Sequence, residues 1–464
     1  MTHDRTSSLL ARAQAHSLEY LRQLADRDVD ARASRDQLVS ALQVPLTAAG
    51  EDDAAVIDLL AAQAGQGTVA SGSPRYFGFV VGGTYPVALA ADWLVSTWDQ
   101  NAGINVLSPL VSVAEEVAGD WLLDLFDLPR ESEVGFATGC QMANFTCLAA
   151  ARHGVLRRVG WNVEADGLYD APRINIVSSA ESHITIDVAL RYLGFGTRIQ
   201  KRVESDAQGR MRADKLREMM ATLEGPTIIC AQAGNVNTGA FDPLREIGEI
   251  AQAHGAWLHV DGAFGLWART SAAHRALADG MELADSWATD AHKWLNTPYD
   301  CGVAIVRHAQ DHHDAMTSSA AYLIQTQGPE RDAVDWVPEF SRRARGIPVY
   351  ATLRTLGRDG VSALVDNCCA RARQMGELLG RIDGVRVLND VVLNQVLVRF
   401  GDDDETTRAV ITGVQKDGTC WLGGTVWHGM AAMRVSVSNW QTSELDVERS
   451  AEAIARVFAG LRQR

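Results

Sequence analysis

The chain has 464 residues, 47% of them apolar and 22% charged, enough for a large core and more than one domain. Its 43 Lys and Arg against 58 Asp and Glu leave a net charge of −15, which argues against a nucleic-acid-binding face built from clustered cations. Seven cysteines without a Cys-x-x-Cys pair, and no apolar run of about 20 residues, point to a reduced, cytoplasmic protein with neither leader nor membrane segment.

The first 70 residues read as helix, with Leu10, Ala13, Leu21 and Leu24, then Leu38 and Leu42, then Ile57, Leu60 and Ala61 at helical spacing. Glycines at 65 and 67 and the run SGSP (71–74) break that pattern. Ser112 with Glu115 reads as a capping box and predicts a helix from Ser112 with Val113, Val117, Trp121 and Leu125 on its buried face. From Val134 the pattern changes to short apolar strands alternating with amphipathic helices. Strands are predicted at 134–137, 174–178, 227–231, 256–260 and 302–306, with a helix at 213–223 stopped by Gly225 and Pro226, and a helical stretch ahead of Lys293. Such alternation predicts an α/β fold with a mostly parallel sheet covered on both faces. Strands at 395–400 and 433–438 and a last helix from about Ser443 read as a smaller α+β unit. The expected division is a helical segment 1–70, a large α/β domain 71–346 and a small α+β domain 347–464.

Three segments carry a chemical reading. In GFATGCQMAN (135–144) a strand gives way to a tight turn and a helix, whose first unpaired N–H groups attract an anion such as phosphate. In AWLHVDGAF (256–264), Asp261 ends an apolar strand, where open α/β sheets gather ligands; a helix cap or structural role is equally open. In ADSWATDAHKW (284–294), Lys293 sits in an apolar, aromatic setting, where desolvation is expected to lower its pKa and free its amine for Schiff-base formation; the alternative is a snorkelling surface lysine. The order matters more than any one segment. Pyridoxal phosphate needs an anion turn for its phosphate, an acid for its ring nitrogen and a lysine for its aldehyde.

With those parts in place, the chain resembles the pyridoxal-phosphate-dependent group II amino-acid decarboxylases, which include the aromatic-amino-acid and glutamate decarboxylases. The most specific segment is DSWATDAHKWLNTPYDCG (285–302), joined in the family's order by SPRYFG (73–78), AESH (180–183), GAFDP (239–243) and SRR (341–343). The resemblance implies a fold type I, aspartate-aminotransferase-like large domain with a small C-terminal domain, and a homodimer with the active site at the interface. It implies that Lys293 holds the cofactor, Asp261 pairs with the ring nitrogen and Ala263 packs on the ring. His183 is expected to stack on the opposite face and assist proton transfer. Gly139, Cys140 and Gln141 are expected at the phosphate, with Asn235 near the cofactor and His292 beside the lysine. The implied reaction is decarboxylation of an L-amino acid to its amine and CO2.

The sequence departs from the family's pattern in three places. In YLIQTQGPERDAVDW (322–336) no Tyr follows Tyr322, and Ala333 stands where the family carries the Tyr that protonates the substrate carbon; its loss implies diversion towards oxygen and an aldehyde. RGIPV (345–349) replaces the family's Leu-Lys or Phe-Lys after the Arg pair. Asp290 stands where some members carry Asn near the phosphate, and an acid there is costly unless protonated or turned away. Trp- and Phe-rich segments favour a bulky or aromatic substrate, Arg75 leaves an acidic one open, and the aromatics near residues 76–98 read as pocket lining or as core. His308, His312 and His313 read as solvated surface rather than a metal site. The run DDDE (402–405) reads as a solvated turn, and Cys368 and Cys369 read as core.

Overall fold

The computed structural model describes residues 2–46, 48–318 and 330–463. Among these, two sheets form. The large one has β1 (Glu133–Ala137), β2 (Asn175–Ser179), β3 (Gln200–Val203), β4 (Thr227–Gln232), β5 (Trp257–Asp261), β6 (Ser286–Asp290) and β7 (Gly302–Val306), in the order β1-β7-β6-β5-β4-β2-β3. All its pairs are parallel except those of β7, which runs antiparallel to both β1 and β6.

The two-residue period of the strands explains the two covered faces. Ile228 and Cys230 of β4 pack on one side with the helix Cys140–Arg157, while Ile229 and Ala231 pack on the other with the helices Ala213–Met220 and Leu244–Ala253. The second sheet comprises β8 (Val385–Val387), β9 (Gln395–Phe400), β10 (Gly423–Trp427) and β11 (Met430–Ser436), in the antiparallel order β10-β11-β9-β8. The last helix, Glu444–Arg462, starts at Ser443 with a capping box and buries Val447, Ala451, Ile454 and Phe458.

Several expectations need correction. The stretch before Lys293 is a strand, β6, because both its neighbours in the sheet pair with it; it is not helical. The helix expected to begin at Ser112 spans Pro109–Phe126, with Ser108 at the cap and Pro109 in its first turn, where a missing N–H costs nothing. The Ser112 hydroxyl instead donates to the Arg331 carbonyl at 2.6 Å. Glu115 is buried against Arg342 at 2.8 Å. His312 is not solvated: it is fully buried and its Nε2 donates to the Trp336 carbonyl at 2.9 Å. Asp403, in the acidic run, caps the helix Asp404–Asp417 by accepting from the Thr406 N–H. Cys368 and Cys369 are core residues, and all seven cysteines are free and buried. No helix among the described residues is long and apolar enough to cross a membrane.

Candidate active site

The carboxyl ends of β1, β4, β5 and β6 lie along one edge of the large sheet, and antiparallel β7 starts at that same edge. This is where an open α/β sheet gathers its ligands. Each chemical segment of the sequence ends there. Beyond β1, the turn at Gly139 leads into Cys140–Arg157. Its tightness has a direct cause: a side chain at Gly302 would put a Cβ 2.2 Å from the carbonyl carbon of Gly139. The start of β7 therefore presses backbone to backbone on the anion turn.

Asp261, at the end of β5, is nearly fully buried and receives every hydrogen bond it makes. Its Oδ1 accepts from the Ala263 N–H at 3.1 Å and from Cys140 Sγ at 3.6 Å; its Oδ2 accepts from Asn144 Nδ2 at 3.2 Å. Ala263 lies partly exposed just beyond it. Lys293 follows β6, and its Nζ meets Asp290 Oδ2 at 2.9 Å. Asp290 Oδ1 accepts the Cys140 N–H at 2.6 Å and lies 3.5 Å from His292 Nε2. The anion turn and the lysine thus share one buried carboxylate.

That carboxylate reverses an expectation. Burial does work against the Lys293 ammonium, but Asp290, with Asp261 beyond it, outweighs burial and holds the lysine above its ordinary range. His183 caps the helix Ile184–Tyr192, with its Nδ1 2.9 Å from Thr185 Oγ1 and 3.4 Å from the Thr185 N–H. Burial lowers its pKa, and Lys293 and Arg434 add to the lowering against the pull of Asp261 and Asp290. His292 is lowered by burial against Asp290; its Nδ1 accepts the Cys301 N–H at 3.1 Å, and its ring stacks on Tyr299 at 4.2 Å.

The remaining expected residues are placed as follows. Gln141 is partly buried in the first turn after Gly139. Asn235 is buried beyond β4, but its amide serves its own turn: Oδ1 accepts from the N–H groups of Asn237 and Thr238, and Nδ2 reaches the Glu181 carbonyl at 3.4 Å. Arg75 is not a substrate contact. It is buried and donates to the carbonyls of Thr419, Ala25 and Arg27. The tryptophans at 257, 267, 287 and 294 are fully buried core side chains, so they do not line a substrate pocket. Of the aromatics at 76–98, Tyr76 is buried and stacks on Trp421, while Phe79 lies over the same indole and is 63% exposed. The segment holding them is pressed on the lysine turn, since a Cβ at Gly82 would lie 2.0 Å from the Lys293 carbonyl oxygen. Asn296 ties the two together by accepting the Gly83 N–H at 2.7 Å.

Sequence reasoning missed two residues of this edge. Arg434 in β11 is half-buried, its charge lowers the pKa of His183, and its side chain makes no ion pair or hydrogen bond among the described residues. Asn144, inside the helix after the turn, carries no motif signal beyond its place one turn past Cys140. Ala333, expected in an active-site loop, lies in a short 3₁₀ turn, Ala333–Asp335, beside Val134, Gly135 and Trp336 at the outer edge of β1. The preceding stretch, 319–329 with Tyr322, lies outside the described residues.

An anion-binding helix start, an amine and a hydrogen-bonded carboxylate at one sheet edge form the donor set that pyridoxal phosphate requires. The family model described as "Pyridoxal-dependent decarboxylase conserved domain" matches residues 43–400. The chain belongs to the pyridoxal-dependent decarboxylase family. Pyridoxal phosphate is its cofactor, and decarboxylation of an amino acid is its reaction. It is 29% identical to L-2,4-diaminobutyrate decarboxylase of Rhizobium meliloti (strain 1021) over 386 residues, covering 79% of this chain and 74% of the relative. It is 26% identical to aromatic-L-amino-acid decarboxylase of Bacillus atrophaeus over 350 residues, covering 74% and 71%. It is 29% identical over 329 residues to acidic amino acid decarboxylase GADL1 of Mus musculus, covering 69% of this chain and 59% of that relative. The fold matches that of Oryza sativa TDC, solved with PLP and tryptamine, at a TM-score of 0.91 and 23% identity, over 99% of this chain and 98% of that one.

Proposed function

We propose that the chain converts a bulky or aromatic L-amino acid to its amine and CO2, with Lys293, Asp261 and His183 as the residues that meet cofactor and substrate. The observation that carries this reading is the meeting of Lys293, Asp261 and the Gly139 turn at one sheet edge, with Arg434 as a half-buried cation whose side chain meets no anion among the described residues. Pyridoxal phosphate, when bound, supplies an electron sink for the charge left at Cα as CO2 departs. Lys293 supplies the amine that holds it. Asp261, an acceptor at both oxygens, keeps the ring nitrogen protonated. Gly139, Cys140 and Gln141 grip the phosphate, Ala263 leaves room for the ring, and Asn235 and His292 border the site. His183 covers the opposite ring face. Arg434 attracts the substrate carboxylate, because a desolvated guanidinium gains most from a charged acceptor.

The aromatic preference is supported by Phe79, 63% exposed beside Trp421, and Tyr299, 59% exposed beside His292. A homodimer is supported by the N-terminal helices Arg35–Leu42 and Asp53–Gly67, which bury no residue fully and leave Leu42, Val56, Leu59 and Leu60 exposed. A cytoplasmic setting is supported by seven free cysteines. One observation favours a second outcome, release of an aldehyde: no Tyr occurs between 323 and 349.

The test is CO2 release from each common L-amino acid, with Lys293→Ala as control. The aromatic set should lead, and the variant should lose both the visible absorption band and turnover. A preference for Glu or Asp would overturn the substrate class. A borohydride-reducible cofactor link persisting in Lys293→Ala would overturn the lysine assignment.

A further inference from the structure

Seven polar side chains at and behind the site form one branched chain of hydrogen bonds, and its direction is determined at one end. Asp261 is an acceptor, so the Asn144 amide must turn Nδ2 towards it, at 3.2 Å. That leaves Asn144 Oδ1 facing His259 Nε2 at 2.9 Å, and this nitrogen must carry the proton. His259 is fully buried, and burial pushes its pKa down to about 4, so it is neutral with Nδ1 bare. Nδ1 then accepts from the Ser286 hydroxyl at 3.0 Å, and Ser286 Oγ accepts in turn from Trp257 Nε1 at 2.9 Å. The whole line from Trp257 to Asp261 donates one way.

The second hydrogen of the Asn144 amide opens a branch. It reaches Thr185 Oγ1 at 3.3 Å. That oxygen is thereby an acceptor, and its own hydrogen goes to His183 Nδ1 at 2.9 Å; the Thr185 N–H approaches the same nitrogen at 3.4 Å. His183 Nδ1 faces two donors and is bare, so the single proton of the neutral ring rests on Nε2.

We propose that Asn144 is a positioning residue whose one amide both holds the Asp261 carboxylate in place and fixes His183 as its Nε2–H tautomer. The proposal rests on the placement of Asp261 and His183 at the cofactor given above. Its consequence is that His183 presents a hydrogen-bond donor to the substrate and does not act as a base through Nε2. Protonating Nδ1 as well would set it against both Thr185 donors. No proton needs to leave the ring for this role.

The test is nitrogen NMR of the full-length holoenzyme labelled in its histidines, with His183→Gln and His259→Gln to assign the signals. Both rings should show a protonated Nε2 and a bare Nδ1. Thr185→Val should mix the tautomers of His183 and lower kcat about tenfold with KM within about twofold, the scale of one lost hydrogen bond, and Thr185→Ser should restore both. Asn144→Leu should disturb His183 and shift the pH at which the cofactor's visible band titrates. A proton on Nδ1 of His183 in the unaltered protein would overturn the proposal, and needs no variant to fold. So would unchanged His183 signals in a folded Asn144→Leu. The tautomers can also be read in the cofactor-stripped full chain. The expected tautomers there, in a protein that fails to decarboxylate any amino acid, would count against the proposed function and not against this network.

Discussion

Lys293 and the first N–H of the helix Cys140–Arg157 are held by the two oxygens of one residue, Asp290, at 2.9 and 2.6 Å. Asp290 therefore occupies, with its own charge, the place where a phosphate is expected, and it keeps the amine charged. A lysine must lose its proton before it attacks an aldehyde.

Asp290→Asn should ease both obstacles. The amide oxygen still accepts the Cys140 N–H, while the counter-ion of Lys293 is gone. Cofactor should bind roughly tenfold more tightly at neutral pH and link to the lysine faster, the effect of about one pKa unit. Equilibrium dialysis and the rise of the visible band measure these; weaker binding in the variant would instead mark Asp290 as part of the phosphate grip.

Asp261→Asn should fold, since the shapes match, and should lose activity by about a hundredfold or more, the scale on which a charged hydrogen-bonding partner acts. Its new Nδ2 donor also meets the Ala263 N–H or the Asn144 amide, both donors. Turnover near that of the unaltered enzyme with cofactor bound would reject the role.

Gly302→Ala tests the contact between the two turns. The added carbon would lie 2.2 Å from Gly139, so backbone must shift. A stability loss of roughly 1–3 kcal/mol is expected, together with weakened cofactor binding. Thermal denaturation with and without cofactor separates the two effects.

Acid should destabilise the protein through His312. Burial pushes its pKa down to about 3, against about 6.5 for an unfolded histidine. The unfolded chain therefore binds the extra proton first, and stability falls as pH drops from about 6.5 towards 3, with an upper scale of several kcal/mol. Asp242 works the other way. Burial raises its carboxyl to about 7, so the folded state holds a proton that the unfolded chain releases above about 4, and stability rises as pH falls through that interval. His312→Gln, which can still donate to the Trp336 carbonyl, should flatten the fall in Tm between pH 6.5 and 4.5. Parallel profiles would show that His312 does not drive it.

The absence of Tyr between 323 and 349 predicts peroxide and aldehyde beside any amine when the enzyme turns over in air. An oxygen electrode and product chromatography decide this. Amine alone, with no oxygen consumed, would show that another group protonates Cα.

The strands most legible in the sequence were those whose burial leaves little choice of residue. β4, β5 and β7 are buried at every position, and the apolar runs at 227–231, 256–260 and 302–306 announce them. β6 reads SWATD, polar at three of five positions, a pattern without the apolar run of a strand; its burial comes from neighbours distant in sequence. β3, QKRV, is an edge strand with exposed charges and no apolar signature. The helix starts at Ser108 and Pro109, four residues ahead of the Ser112 capping pattern, which lies closer to the apolar face. Lys293, Asp261 and the Gly139 turn were readable because their chemistry is local. Arg434 and Asn144 were not, because each gains its meaning only from side chains brought near by folding.

The lone antiparallel strand has a consequence for the working life of the lysine. Lys293 lies in a connection between β6 and β7, which pair with each other along their length, so the chain is clamped on both sides of it. In the role proposed for it, the Lys293 amine would then be a tethered reagent. The paired strands hold the backbone on either side of it, and the rotors of the side chain supply its reach. With Lys293 in that role, the effective concentration of the amine would stay high, and its return would depend on side-chain rotation rather than on loop rearrangement.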